Sequence, residues 1–266
     1  MSQSKTFVSI GAGNVATHIV KSLCAAGYTL IQVYSRTLES AEILAKCGNA
    51  EYTNSLEKIN RNVDFYILSL PDNTLKSILD QLTITNKLIV HTAGSHGLEI
   101  FTTKFDKYGV LYPLQTIRKN AVLSLSKTPF LIEGCNPEVL KEIELIARSI
   151  SENVYFTDSE TRRWIHLAAI FANNFTNHML SLSSKILDQK NIDKTILKPL
   201  IEETFRKALE MNPEDAQTGP AVRNDTNIID AHIKMLEDQA LLQKIYTFTS
   251  QSIQKTQSEK TNKTNK

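Results

Sequence analysis

The chain has 266 residues, of which 41% are hydrophobic and 22% charged, and its formal net charge at pH 7 is +2. This length suits one large domain or two ordinary ones, and the composition is that of a globular protein. The last twelve residues hold four lysines and one glutamate, so the remainder has a net charge of −1 and indicates no basic nucleic-acid-binding face.

The sequence also indicates no membrane span, no signal peptide and no metal site. No apolar run approaches the roughly 18 residues that a membrane span needs, and no signal peptide is recognisable at the N-terminus. The cysteines, at positions 24, 47 and 135, are too widely spaced for a disulfide framework or a zinc site. We therefore expect a cytoplasmic protein that binds no metal, no nucleic acid and no membrane.

The first half of the chain alternates between two periodicities. Strands are predicted at 6–10, 30–34, 63–70, 88–91, 110–112 and 130–132, and helices at 14–26, 37–46, 73–82 and 137–149. Eight of the nine glycines, which mark tight turns, lie at or before Gly134. Strands that alternate with helices predict βαβ units and a parallel sheet, so we expect an α/β domain over residues 1–155.

The second half contains only helical patterns. Residues 157–160 (Thr-Asp-Ser-Glu) have the form of a capping box, and nothing breaks a helix from there to about residue 187. Further helices are predicted at 194–210, 227–238 and 239–253. We expect an all-α domain over 156–253, followed by a disordered polar tail over 254–266 that has no apolar residue.

A glycine-rich turn joins the first strand to the first helix. In this turn, Gly11 permits the sharp bend, Gly13 lets the backbone approach a pyrophosphate, and Ala16 allows close packing of helix on strand. The helix N-terminus offers free N–H groups to phosphates, so we expect Asn14 and Val15 to border a dinucleotide as well. The alternative is an ordinary strand–helix turn.

The end of the second strand distinguishes between the two nicotinamide cofactors. NAD-binding folds usually place an acidic residue here, which bonds the ribose hydroxyls. This chain has Ser35, Arg36 and Thr37 instead. Hydroxyl groups and a guanidinium suit a 2′-phosphate, so the expected cofactor is NADP. The alternative is that Arg36 is a solvated surface residue.

Two further loops follow buried strands. Leu70 and Pro71 end one strand, and Thr92 and Gly94 follow the next. Ligands of such sheets bind at the carboxyl ends of the strands, so these residues should border the nicotinamide. The nearby histidines at 91 and 96 have no third metal ligand beside them.

Three groups of these residues resemble a known clan of reductases. The motifs at residues 11–16, 35–37 and 70–71 are similar to those of pyrroline-5-carboxylate reductases, β-hydroxyacid dehydrogenases and deazaflavin-dependent NADP reductases.

Three later motifs, at residues 112–116, 168–174 and 218–225, more closely resemble a family of NADP oxidoreductases. Its members join a Rossmann-like domain to an all-helical domain of unknown function. The resemblance implies a C-terminal fold like that of 6-phosphogluconate dehydrogenase and, often, a dimer. It implies no substrate.

One position departs from the pattern of the β-hydroxyacid dehydrogenases. Those enzymes carry a lysine shortly before an Asn-Asn pair on the long helix. Here Asn173 and Asn174 match the pair, but Ile170 occupies the lysine position. The resemblance therefore does not extend to the usual lysine acid.

The long predicted helix carries a polar arc within an apolar run. Asn173, Asn174 and Asn177 lie seven, eight and eleven residues after His166. Histidine is the natural proton donor near pH 7, so His166 is a candidate acid and Asn174 a candidate carbonyl ligand. The alternative is a core histidine bonded to backbone, with asparagines linking helices.

Four further residues complete the expected site, and the overall function has more than one interpretation. Ser95, Gln115 and Thr116 are candidate substrate contacts, and Arg223 is a candidate carboxylate or phosphate anchor that could equally pair with a neighbour or cap a helix. We expect an oxidoreductase for a small carbonyl, imine or hydroxy compound. The alternatives are a deazaflavin-dependent reductase and a catalytically silent NADP-binding sensor or scaffold.

The sequence also predicts how the helices are covered. A helix of this length, apolar on much of its surface, finds little partner surface in one small helical domain, so a homodimer built by the helical domain is expected. Trp164 is expected in the core.

Overall fold

The computed structural model describes residues 4–101, 103–118 and 123–264. Contacts divide the chain into two compact units, Met1–Phe175 and Thr176–Lys266. The first unit thus also contains residues 156–175, which the sequence analysis placed with the helical domain. Each unit is described separately.

The first unit is built on one eight-stranded sheet with the order β3-β2-β1-β4-β5-β6-β7-β8. The strands are β1 (Thr6–Ile10), β2 (Thr29–Tyr34), β3 (Glu51–Thr53), β4 (Phe65–Leu68), β5 (Leu88–His91), β6 (Lys107–Pro113), β7 (Phe130–Gly134) and β8 (Val154–Phe156). The strand order reverses direction between β1 and β4, which is the position where open α/β sheets bind their ligands.

Helices cover both faces of this sheet. The helices of this unit are α1 (Asn14–Ala25), α2 (Leu38–Ala45), α3 (Asp72–Gln81), α4 (Pro137–Arg148) and α5 (Ser159–Ala169), which is followed by a π-helical turn (Ile170–Phe175). Short 3₁₀ turns lie at Leu56–Lys58 and Leu98–Ile100. The predicted α/β fold is therefore confirmed.

The core has one layer on each face of the sheet. Apolar residues of α1, α2 and α4 form one layer, and residues of α3 with the segment around Phe101 form the other. The rings of Phe7 and Phe65 stack across β1 and β4 at 5.4 Å. Burial on both faces explains why β4 and β5 are continuous apolar runs without alternation.

The prediction of a purely parallel sheet is wrong at one strand. β7 pairs antiparallel with β6, and Leu111 lies opposite Ile132. The described residues between these strands contain no helix. A chain that returns without a crossover helix enters the sheet antiparallel, which accounts for the difference.

Helix starts follow the expected capping chemistry with one shift of register. Asn136 caps α4 as predicted, since its side chain accepts a hydrogen bond from the Val139 N–H at 2.9 Å. At α5 the cap is Asp158 rather than the first residue of the predicted box, because its carboxylate accepts from the Thr161 N–H at 2.7 Å.

The second unit is helical throughout its regular structure. Its helices are α6 (Thr176–Asp188), α7 (Lys198–Glu210), α8 (Pro213–Ala216), α9 (Thr226–Met235) and α10 (Ala240–Thr264), with a 3₁₀ turn at Lys194–Leu197. None of the helices in the described ranges is long and apolar enough to cross a membrane.

The expected disorder of the tail is wrong as far as Thr264, where α10 ends. Lys255 pairs with Glu259 one turn later, and Lys260 contacts Asp215. Such pairs support the part of α10 that follows residue 253, which has no apolar side chain. Residues 265–266 lie outside the described residues.

The core assignment of Trp164 is also wrong, since this side chain is 66% exposed. It lies on α5, where Arg162 is the only buried residue, so this helix contributes no apolar side chain to the core.

Candidate functional site

The glycine turn has the geometry that dinucleotide binding requires. Gly11 has φ +118°, and a methyl group there would lie 2.2 Å from the Ser69 carbonyl oxygen, so only glycine fits. A methyl group at Gly13, in contrast, would meet no atom within 4 Å. The backbone at Gly13 is therefore open to a ligand, as close approach of a pyrophosphate demands.

The N-terminus of α1 is free to bind an anion. Gly13 is its N-cap, no side chain caps the helix, and its first turn has no acidic residue. The unpaired N–H groups and the positive end of the helix dipole suit a phosphate. The Asn14 amide donates to the Ile117 carbonyl at 3.1 Å, which ties the segment after β6 to this turn.

The end of β2 presents the cation predicted for a 2′-phosphate. Arg36 and Thr37 are exposed, and Ser35 is half-buried, with its N–H donating to the Thr53 carbonyl at 3.1 Å. Within residues 4–101, 103–118 and 123–264, no hydrogen bond or ion pair engages Arg36. Its guanidinium is available to a phosphate at the edge where the ribose of a dinucleotide lies.

The loops after β4 and β5 lie beside this turn. Leu70 would touch a methyl group at Gly11 at 3.4 Å, and Pro71 precedes the first residue of α3. Thr92 is buried, and its hydroxyl lies 3.2 Å from that of Ser69. Both loops therefore border the glycine turn, and their contact with a nicotinamide remains a prediction.

A cleft of about 410 Å³ opens in the first unit. Its walls come from α1, the loop after β5, the segment after β6, α5 and the π-helical turn. They are Val15, Thr92, Tyr112, Pro113, Leu114, Gln115, Thr116, His166, Ala169, Ile170, Ala172, Asn173 and Asn174. The structure thus brings together most of the predicted reaction-site residues with two of the predicted cofactor residues.

Tyr112 and His166 form a pair in the wall of this cleft. The Tyr112 hydroxyl lies 2.9 Å from His166 Nδ1, and the two rings meet edge to face at 5.7 Å. Burial, reinforced by the Asp72 carboxylate, raises the pKa of Tyr112, so its phenol stays protonated at neutral pH. Tyr112 belongs to the motif at residues 112–116, and the sequence alone predicts no role for it.

Gly94 makes this pair possible. A methyl group at Gly94 would lie 2.6 Å from His166 Nδ1 and 2.9 Å from Cζ of Tyr112. Both separations are too short for real atoms, so the backbone of Gly94 packs directly against the two side chains. Gly94 therefore supports the reaction site as well as the expected cofactor loop.

The π-helical turn changes which asparagine faces His166. In a regular α-helix, an offset of eight residues would place Asn174 roughly 80° around the helix from His166. A π-helical turn takes one additional residue, which reduces that angle to roughly 20°. Asn174 and His166 accordingly line the same cleft.

A buried ion pair holds α5 against the loop after β5. Arg162 has no exposed side-chain surface, and its guanidinium donates to Glu133 at 2.5 Å and to the His96 carbonyl at 2.8 Å. Ser159 adds a hydroxyl bond to Glu133 at 2.8 Å. Because Arg162 lies one turn before His166, it fixes the position of His166 relative to Gly94.

The two loop histidines have structural partners. His91 Nδ1 accepts from the Ala93 N–H at 3.2 Å, and burial, followed by the charge of Arg162, lowers the pKa of His91 to about 3. His96 Nε2 lies 3.0 Å from the Asp72 carbonyl. The described part of the chain contains no group of three or more His, Cys, Asp or Glu side chains placed to hold a metal.

Three predicted residues lie elsewhere. The Ser95 hydroxyl donates to the Asp72 carboxylate, and Ser95 is not among the residues that line the cleft. Asn177 and Arg223 belong to the second unit, where both are exposed. Their roles remain predictions.

Comparisons with known proteins agree with this geometry. The family described as NADP oxidoreductase, coenzyme F420-dependent, matches residues 6–94, and the domain of unknown function DUF2520 matches residues 128–253. No curated protein matches the chain.

Solved structures show the same fold over the full length. A protein from Bacteroides fragilis, described as a candidate NADP oxidoreductase, is 41% identical with a TM-score of 0.87, over 95% of this chain and 98% of its own. A 1-pyrroline-5-carboxylate reductase from Streptococcus pyogenes is 16% identical with a TM-score of 0.63, over 95% and 99%.

An imine reductase from Myxococcus stipitatus, solved with NADP+, is 15% identical with a TM-score of 0.63, over 97% of this chain and 94% of its own. The similarity to these two reductases shows a shared fold and no more.

The similarity to the Bacteroides fragilis protein is high enough to assign the family. The chain belongs to a family of NADP oxidoreductases that join a Rossmann-like N-terminal domain to a DUF2520 domain.

Proposed function

We propose that this protein transfers a hydride between NADP(H) and a small carbonyl, imine or hydroxy compound bound in the cleft. The observation that carries this proposal is the position of His166. This side chain shares the cleft with Asn174 and is held by Tyr112, and Val15 and Thr92 belong to the same walls. Those two residues adjoin strand ends where nicotinamide rings lie in related folds.

The residues of the chain fit the cofactor, which supplies the hydride when it is bound. Gly11, Gly13 and the uncapped N-terminus of α1 suit the pyrophosphate. The uncommitted guanidinium of Arg36 suits a 2′-phosphate, which supports a preference for NADP(H) over NAD(H).

His166 is assigned the proton. With the Tyr112 hydroxyl donating to Nδ1, the imidazole keeps its own proton on Nε2. In the reductive direction, the substrate carbon gains two electrons with the hydride, and the oxygen or nitrogen gains the Nε2 proton while the Tyr112 hydroxyl proton passes to Nδ1. The imidazole stays neutral, and solvent then returns a proton to the Tyr112 oxygen. The amide of Asn174 orients the carbonyl or imine.

This assignment explains how the chain manages without a lysine acid. Ile170 lines the cleft at the position where the β-hydroxyacid dehydrogenases carry lysine. His166 lies one turn earlier on the same helix and supplies the proton from Nε2 instead.

The test is NADPH oxidation with a panel of small ketones, aldehydes and cyclic imines. His166→Asn and Asn174→Ala should lower kcat at least tenfold while leaving NADPH affinity nearly unchanged. His178→Asn, an exposed histidine of α6, is the matched control and should behave as wild type. NADPH binding without turnover of any panel member would contradict the enzyme assignment and favour the sensor alternative.

We further propose that the second unit forms a homodimer. Large apolar side chains of its helices face solvent, with Leu200 63%, Leu209 87% and Leu241 74% exposed. Exposed apolar groups on this scale favour burial against another surface. A second copy of the chain is the occupant that the resemblance to dimeric reductases implies.

Light scattering measures this directly. Wild type should have the mass of a dimer at micromolar concentration, and Leu200→Asp with Leu209→Asp should shift the mass toward the monomer. Lys198→Asp, an exposed charge on the same helix, is the control. A monomeric wild type would contradict the proposal.

A further inference from the structure

The walls of the cleft are polar, and His166 is the one basic side chain among the lining residues in the described part of the chain. None of these residues carries a carboxylate, ammonium or guanidinium group. Hydroxyl, amide and imidazole groups supply the hydrogen-bonding capacity, through Thr92, Tyr112, Gln115, Thr116, His166, Asn173 and Asn174. The apolar wall consists of Val15, Pro113, Leu114, Ala169, Ile170 and Ala172.

Three ionic side chains near this wall have partners outside the cleft. Arg162 is wholly buried against Glu133, Arg163 contacts Glu99, and Asp72 accepts from the Ser95 hydroxyl. The charges of these three residues are therefore not directed at a ligand in the cleft. Arg118, two residues beyond Thr116, is exposed and lies outside the lining.

This lining discriminates against ionised ligands. A carboxylate or phosphate that leaves water for a site without a cation loses hydration that neutral amides cannot restore. A neutral amide or hydroxyl group on the ligand loses far less. Asn173, Asn174 and Gln115 can form with it the hydrogen bonds that water formed before binding. Position 170, where the β-hydroxyacid dehydrogenases carry a lysine, holds the apolar Ile170 in this wall.

We propose that the substrate is uncharged: a small carbonyl or imine compound that bears an amide or hydroxyl group and a short apolar segment, without a carboxylate or phosphate. This inference rests on the proposed function and names the substrate class of the same cleft. The apolar segment packs on Ala169 and Ile170, and the neutral polar group meets the amides of Asn173 and Gln115.

Matched pairs of compounds test the charge preference. 4-Oxopentanamide is compared with 4-oxopentanoate, and 1-pyrroline with 1-pyrroline-5-carboxylate, because the acidic member of each pair adds a carboxylate to a similar frame. The neutral member should have a kcat/KM at least tenfold higher in NADPH oxidation. Equal values, or a preference for the acid, would overturn the inference.

A binding measurement separates this inference from the proposed function. The two 4-oxopentanoyl compounds are titrated calorimetrically into protein loaded with the 1,4,5,6-tetrahydronicotinamide analogue of NADPH, whose ring is neutral and cannot give a hydride. The amide should bind at least tenfold more tightly than the acid. If the amide binds more tightly but no compound supports NADPH oxidation, the inference holds and the proposed function is contradicted. Equal affinities, including no measurable binding of either, would overturn the inference.

Ile170→Lys tests the physical cause. An ammonium in this wall should raise affinity for 4-oxopentanoate at least tenfold, while Ile170→Met, similar in length but neutral, should keep the wild-type preference. If wild type already prefers the acid and Arg223→Ala abolishes that preference, the inference is overturned and Arg223 is the anion anchor.

Discussion

The hydroxyl of Tyr112, on strand β6, lies 2.9 Å from Nδ1 of His166, on helix α5. These residues are 54 positions apart in the sequence, and the strand and helix that carry them meet at the backbone of Gly94. The contact fixes both the orientation of the imidazole and the nitrogen that keeps its proton. It therefore connects the fold of the first unit to the proposed proton transfer.

Tyr112→Phe should lower kcat about a hundredfold or more, because it removes the proton that passes to Nδ1 of His166, and general acid–base groups contribute about 10²–10⁴-fold. NADPH affinity should not change. Since burial raises the pKa of Tyr112, the phenol remains protonated between pH 6 and 9, and the loss should be the same throughout that range. Tyr108→Phe, on the same strand, is the control in steady-state assays. A kcat equal to that of wild type would show that the contact has no role in turnover.

The two glycines of the first turn should respond differently to alanine. Gly11→Ala combines a positive φ with a backbone clash and should reduce the free energy of unfolding by about 2 kcal/mol or more. Gly13→Ala has an ordinary φ of −80° and open space, so stability should change by less than about 0.5 kcal/mol.

NADPH affinity of Gly13→Ala should nevertheless fall by about 1.4 kcal/mol, or tenfold, because the methyl group occupies the path of the pyrophosphate. Urea unfolding and calorimetric titration measure the two effects. Wild-type affinity in Gly13→Ala would place the pyrophosphate elsewhere.

Arg36→Ala should weaken NADPH binding by about 1.5–3 kcal/mol, which is the usual contribution of a hydrogen bond to a charged group. NADH affinity should stay close to that of wild type, since NADH has no 2′-phosphate. Lys21→Ala, which removes an exposed cation from α1, controls for general charge effects. Equal losses for both cofactors in a calorimetric comparison would remove the 2′-phosphate assignment.

His91 should make the protein less stable in acid. Burial lowers its pKa in the folded protein to about 3, below the ordinary value of 6.5, so between these values only the unfolded chain takes up the proton. The free energy of unfolding therefore falls as pH drops below 6.5, with about 1 kcal/mol lost from this group between pH 6 and 5.

His91→Asn keeps an acceptor for the Ala93 N–H but does not titrate. Urea unfolding of this variant at pH 6 and 5 should show a pH dependence smaller than that of wild type by about 1 kcal/mol. Identical pH dependence in the two proteins would mean that His91 is protonated in the folded state.

Local constraints made the cofactor half of the site predictable. The positive φ at Gly11 and the open backbone at Gly13 follow from the turn itself. The position of Arg36 follows from where the second strand ends. These features depend on neighbours within a few residues, which a single sequence displays.

The reaction half depends on contacts between distant segments. The antiparallel entry of β7 depends on how the chain returns after β6, and the pairing of Tyr112 with His166 depends on that sheet and on α5 together. The additional residue in the π-helical turn leaves no mark in the apolar spacing, so the offset of eight residues did not predict that Asn174 shares a face with His166.

A crystal structure of the NADPH complex would test the central claim most directly, because it locates the nicotinamide relative to His166. We predict that the nicotinamide ring contacts Val15 and Thr92, that the space between the ring and Asn174 is open to a substrate, and that Arg36 contacts the 2′-phosphate. A nicotinamide bound outside this cleft, or a His166 ring turned away from it, would contradict the account.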